Sequence, residues 1–186
     1  MIYRVRRTLA IGALLVLGTI PLCVRAVFAR FRVANGAMAP MIQPGQHVWA
    51  LRHAYALPGD VRRGDVVTFL LPDDEKSPMV KRIIGLPGDS VEVAAGRPSV
   101  SGRALLQDPA GTAGELVLFR EQGAREGYLV AYGSEIVCER TAEPRSTVLG
   151  PGEFFVLGDN RCATRDSRHF GPVPFRLLTG RVLWVE

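Results

Sequence analysis

Short branched runs separated by proline–glycine turns constrain this chain more than any other feature. From Val33 onward, His47–Leu51, Val66–Leu71, Val80–Ile84, Ser90–Val93, Phe154–Leu157 and Arg181–Val185 each read as a strand bounded by turn chemistry. Leu-Pro-Gly-Asp occurs at Leu57–Asp60 and again at Leu86–Asp89, and Gly150-Pro151-Gly152-Glu153 makes a third turn of the same kind. No twelve-residue stretch in this part carries a helical period, so packed helices are excluded. The two Leu-Pro-Gly-Asp pieces are turns rather than a repeated unit. A length of 186 residues, 47% of them hydrophobic, suits one folded domain with an appendage. Residues 94–150 are richer in Gly, Ala and charge, and read as an inserted β-rich subdomain.

The appendage is at the N-terminus. Thr8 to Val24 is uncharged and apolar, with Arg4, Arg6 and Arg7 before it and Arg25, Arg30 and Arg32 after it. At about 1.5 Å per residue this run reaches roughly 25 Å, the short end of a membrane-spanning helix. The expected organisation is a basic tail over 1–7, a transmembrane anchor over 8–28, a β core over 33–93 and 151–186, and the insertion between. A cleaved secretory signal is the competing reading, with Val27-Phe28-Ala29 as a mediocre cut site. The arginines balance across the run and fix no orientation. A net charge of +5 suits an anionic membrane surface. With no basic run and no aromatic interleaving, nucleic acid is not expected as a partner. Cys23, Cys138 and Cys162 lack zinc-site spacing, so no metal is expected. Cys138 and Cys162 are left either as a disulfide or as two independent thiols.

Three blocks carry chemistry. Of 23 lysines and arginines only Lys76 and Lys81 are lysine, and Lys81 sits inside an apolar strand. Strand alternation puts it on the face of Met79 and Ile83, with Arg82 opposite beside Val80 and Ile84. Burial lowers a lysine pKa and turns an otherwise protonated ammonium into a general base. A lysine snorkelling to the strand edge is the bland alternative. The second block is Asn35-Gly36-Ala37-Met38-Ala39-Pro40. The third, Gly158-Asp159-Asn160-Arg161 through Asp166-Ser167-Arg168, is the most specific of the three.

These blocks, in this order after an apolar run, resemble the bacterial type I signal peptidases, whose serine–lysine dyad removes leader peptides from exported proteins. The resemblance implies a mostly antiparallel, barrel-like β core with one N-terminal transmembrane helix. It places the protein as a single-pass protein of the bacterial cytoplasmic membrane, with the catalytic domain on the outer side. Partners implied are preprotein leader peptides, the lipid bilayer and the secretion machinery; no cofactor is implied. Lys81 maps to the general base and Thr164 to the hydroxyl that orients it. Asp166 and Arg168 map to a supporting ion pair, with Asp159, Arg161 and Ser167 in the same scaffold. Asn35 maps to an oxyanion-hole residue, where a carboxamide is able to donate, and Gly36 allows close backbone approach. The backbone N–H of residue 37 is expected to remain a donor whatever its side chain.

Ala37 falls on the nucleophile. Alanine has no lone pair for a carbonyl, so the chain as written is expected to be inactive. Cys162 is a remote substitute. Two readings follow. In one, position 37 is natively serine and alanine is an introduced change that holds an uncut state. In the other, the protein is a non-catalytic relative that binds leader peptides or assists assembly. Peptidases of conjugative transfer systems, acting on pilin-like precursors, share the same features. Self-cleaving repressors, which carry a DNA-binding helix-turn-helix, are not expected, since the N-terminal segment here is an apolar run.

Overall fold

The structure is a computed structural model that describes residues 25–122, 127–133 and 145–186. The basic tail, residues 8–24 of the expected anchor, Cys23 and Cys138 lie outside the described residues. Phe28, the last residue of the expected anchor, already opens a strand. Among the described residues no helix is long and apolar enough to cross a membrane.

The main sheet has seven strands in the order β1-β2-β14-β3-β4-β12-β13. They are β1 (Phe28–Arg32), β2 (His47–Arg52), β3 (Val66–Leu71), β4 (Asp74–Gly85), β12 (Glu153–Leu157), β13 (Val173–Pro174) and β14 (Leu178–Val185). Every pairing is antiparallel. The sheet is open, with β1 and β13 at its edges, so the expected barrel-like closure is not found. A two-residue strand at one edge leaves too little backbone to complete a cylinder. Strands expected at His47–Leu51, Val66–Leu71 and Phe154–Leu157 form within a residue of their expected ends. Val80–Ile84 is the C-terminal half of a longer β4, because the hairpin with β3 continues outward to Asp74.

Between β4 and β12 the chain builds two smaller sheets. β5 (Ser90–Ala94), β6 (Arg97–Val100), β7 (Arg103–Ala104) and β11 (Arg145–Val148) form one, in the order β11-β5-β6-β7. β8 (Gln107–Ala113), β9 (Leu116–Glu121) and β10 (Tyr128–Tyr132) form the other, in the order β10-β9-β8. The only full α-helical turn described beyond β1 is Ser167–Phe170.

Strand alternation sends the two faces of β4 to different cores. Ile83 packs with Val61, Val67, Phe69, Phe154 and Val156, and Met79 lies against them. Ile84 packs with Val91, Val93, Leu149 and Phe155. Each of these side chains gains about 1.5–3 kcal/mol from burial. β4 is thereby wedged between two cores and becomes a rigid support for the residues it carries.

Candidate active site

Asn35, Gly36 and Ala37 follow β1 directly. Gly36–Met38 is one turn of 3-10 helix, and Asn35 caps it. Met38 anchors the turn in a cluster with Val33, Ile42 and Val48. The Asn35 Oδ1 accepts from the Ala37 N–H at 3.1 Å. That N–H was expected to be a donor, and here it donates to Asn35. A short carboxamide at a helical N-cap folds onto the N–H two residues ahead.

Lys81 is only 3% exposed. Its Nζ donates to the Val80 carbonyl at 3.1 Å. Burial pushes its pKa down to about 8, opposed by the nearby Asp166 and Asp159 carboxylates and assisted by Arg168. At pH 7 about one such lysine in ten is neutral, against about one in three thousand at the ordinary value. Lys81 and Ala37 line two cavities together. One, of about 210 Å³, runs between Phe31–Asn35 and Pro78–Lys81. The other, of about 300 Å³, is bordered by Asn35, Gly36, Asn160, Ala163 and Thr164. β12 pairs with β4 only from Arg82 to Gly85, so among the described residues no strand covers that edge of β4 ahead of Arg82, and Pro78–Lys81 line the first cavity.

Thr164 shares the second cavity with Lys81, but its Oγ1 donates to the Arg165 carbonyl at 3.5 Å. The expected hydroxyl-to-lysine hydrogen bond is not made. Asp166 and Arg168 are joined by two hydrogen bonds of 2.8 Å. Asp166 also accepts from the Gly158 N–H at 3.2 Å. Its carboxyl lies below the usual range: burial raises it, and the adjoining His169 ring and the Arg168 guanidinium more than offset that. Ser167 is buried and its Oγ accepts from the Val156 N–H at 2.9 Å, tying the helical turn to β12.

Asp159 and Arg161 do not join that pair. Asp159 is gripped by Arg82 through Nε at 2.8 Å and Nη2 at 2.6 Å. Arg161 is gripped by Glu121 through Nη1 at 2.7 Å and Nη2 at 2.5 Å. Sequence reasoning gave Arg82 a direction but no partner, and it missed Glu121. The available signal for Glu121 was its position two residues after Phe119, on the same face of β9.

Gly158 packs its Cα against the site. A Cβ there would stand 2.5 Å from the Ala37 carbonyl oxygen and 2.7 Å from the Thr164 Oγ1. The Asn160 N–H donates to that same Ala37 carbonyl at 3.1 Å. Cys162 is disulfide-bonded and buried against Tyr128, Val130 and Tyr132. The arrangement thus brings a desolvated amine, a short-side-chain turn and an open strand edge to one place. It is equipped to bind an extended chain and to accept a proton, and it contains no hydroxyl at position 37.

A family model described as "Signal peptidase, peptidase S26" matches residues 5–185. Signal peptidase I of Bacillus caldolyticus is 32% identical over 157 residues, covering 84% of this chain and 78% of the relative. Signal peptidase I of Pseudomonas aeruginosa is 29% identical over 181 residues, covering 83% of this chain. This chain spans 63% of the length of that relative. Among solved structures, a signal peptidase I from Enterococcus faecalis V583 is 26% identical, with a TM-score of 0.43 over 67% of this chain and 97% of that one. The chain belongs to the bacterial type I signal peptidase family.

Proposed function

We propose that this chain is a membrane-anchored signal peptidase I-like protein that binds leader peptides of exported preproteins. With alanine at position 37 it holds them uncut; with serine there it cleaves them by a Ser/Lys pair. One observation carries this reading: Lys81 is buried, lowered to about 8, and lines the same two cavities as Ala37. Burying an ammonium is costly and favours the neutral amine, and that amine is able to accept a proton from a neighbouring hydroxyl. The leader peptide adds as an extended strand along the open β4 edge, and its backbone hydrogen bonds give affinity. A serine at 37 then attacks the carbonyl, and its proton passes to the neutral Lys81 amine. Without that hydroxyl only binding and electrostatic contributions remain. The apolar run Thr8 to Val24 holds the site at the outer face of the cytoplasmic membrane, beside substrates that are themselves tethered, and within reach of the secretion machinery.

The test is cleavage of a detergent-solubilised preprotein by this chain beside its Ala37→Ser form. Only the serine form should cut at the leader junction, and a further Lys81→Ala or Lys81→Arg should abolish cutting. Activity that survives either lysine change removes Lys81 from this role.

A binding-and-assembly role without cleavage is favoured by one contact. Asn35 already occupies the residue-37 N–H that would otherwise face a developing oxyanion. In that case both forms bind the preprotein and neither cuts.

A further inference from the structure

We propose that Glu121, in the inserted region, is a positioning residue for the active site. Acting through Arg161, it sets the 158–161 loop against the turn that carries residue 37.

Both side chains of the pair are fully buried. The Glu121 carboxylate meets four donors: Tyr128 Oη at 2.6 Å, Gln107 Nε2 at 2.6 Å, and the two terminal nitrogens of Arg161. These partners hold its pKa below the ordinary value against a burial effect that acts the other way. A carboxylate so completely satisfied is fixed in position, and the planar guanidinium facing it in two-point contact is fixed in rotation as well.

Arg161 carries that restraint into the loop. Its Nε donates to the Gly158 carbonyl at 3.1 Å. Its own N–H donates to the Ala131 carbonyl at 2.9 Å, while the Ala131 N–H donates to the Asp159 carbonyl at 2.9 Å. β10 therefore runs alongside the loop as a short parallel bridge at Asn160. The opposite side of the loop faces the site: Asn160 donates to the Ala37 carbonyl from its N–H and to the Gly36 carbonyl from its Nδ2 at 3.3 Å. The Tyr128 ring also supports the Arg82 guanidinium at 3.8 Å, and Arg82 is the neighbour of Lys81 on β4. One buried acid thus lies behind the loop, with residues 36 and 37 in front of it.

An apolar pair of similar volume would fill the same space without fixing the loop's orientation. The directional bonds from Arg161 to the Gly158 carbonyl, and from Asn160 to the Gly36 and Ala37 carbonyls, are what distinguish positioning from simple packing.

Amide hydrogen exchange on the full chain in detergent tests this without any need for cleavage. Glu121→Gln keeps the volume and removes the charge. Exchange at Asn160, Arg161 and Ala131 should speed up at least tenfold, while Val67 and Val182 in the main sheet stay within about twofold. Tyr128→Phe, a milder change, should loosen the same three amides by a smaller factor. Unchanged exchange at Asn160 in both variants overturns the proposal. So does equal loosening of every amide, which would mark Glu121 as a general core residue; if Glu121→Gln does not fold, Tyr128→Phe alone decides.

A second readout rests on the proposed cleavage. In the Ala37→Ser background, Glu121→Gln should lower kcat about tenfold with KM within twofold, and Glu121→Asp should recover part of the loss. If Ala37→Ser does not cut at all, the functional reading fails while the exchange result still decides the role of Glu121.

Discussion

Replacing Lys81 with methionine should stabilise the protein, and the gain should fade as pH rises. The ammonium is buried on β4, and desolvation lowers its pKa from 10.5 to about 8 even with Asp166 and Asp159 nearby. A group lowered in this way binds protons more weakly folded than unfolded. The full penalty applies below about pH 8, and it is relieved as pH climbs toward 10.5. The shift corresponds to about 3 kcal/mol at pH 7, about 2 kcal/mol at pH 9 and about 1 kcal/mol at pH 10. Methionine matches the length of the apolar stem, but it leaves the Val80 carbonyl without its donor at every pH. That loss takes back about 1 kcal/mol. Lys81→Met should therefore gain about 2 kcal/mol at pH 7, about 1 kcal/mol at pH 9 and nothing near pH 10. Urea unfolding in detergent, followed by the fluorescence of Trp49 and Trp184, measures the difference across that range. A gain that stays constant with pH, or no gain at pH 7, would refute the claim that Lys81 carries a desolvation cost.

Gly158→Ala should cost about 1–3 kcal/mol, because its Cβ would meet the Ala37 carbonyl oxygen at 2.5 Å. Gly59→Ala, with nothing within 4 Å of the new atom, is the control and should change stability by less than about 0.5 kcal/mol. In the Ala37→Ser background, Asn35→Gly should raise kcat about tenfold by releasing the residue-37 N–H for the oxyanion. A fall in kcat would instead make the Asn35 amide a donor that the reaction uses.

The strands and the position of Lys81 were legible because period-2 alternation and Pro-Gly turns are local signals. The Asp166–Arg168 contact came from the resemblance of the third block, and the structure forms it. The Arg82–Asp159 and Arg161–Glu121 pairs bridge separations of 77 and 40 residues. No local pattern marks which acid a buried arginine will meet across such distances. Glu121 looks like ordinary strand polarity until β10 brings Tyr128 and Ala131 against the 158–161 loop. The open sheet was misjudged because closure depends on edge-strand length and stagger, which a list of strands does not contain. The Asn35 cap was not anticipated, because the resemblance assigned a role to its amide donor while the contact formed here uses its oxygen.

The stretch of β4 ahead of Arg82 is left without a neighbour on its cavity side, and an unpaired strand edge accepts any extended backbone that reaches it. A second copy of the chain is as eligible a guest as the leader peptide proposed above, so self-association and peptide capture would draw on the same backbone groups. Pro78 offers no N–H to a guest at its position. Dilution, or an excess of an extended peptide, should therefore act alike as a solubiliser, and crowding should shift the balance toward dimers formed edge to edge.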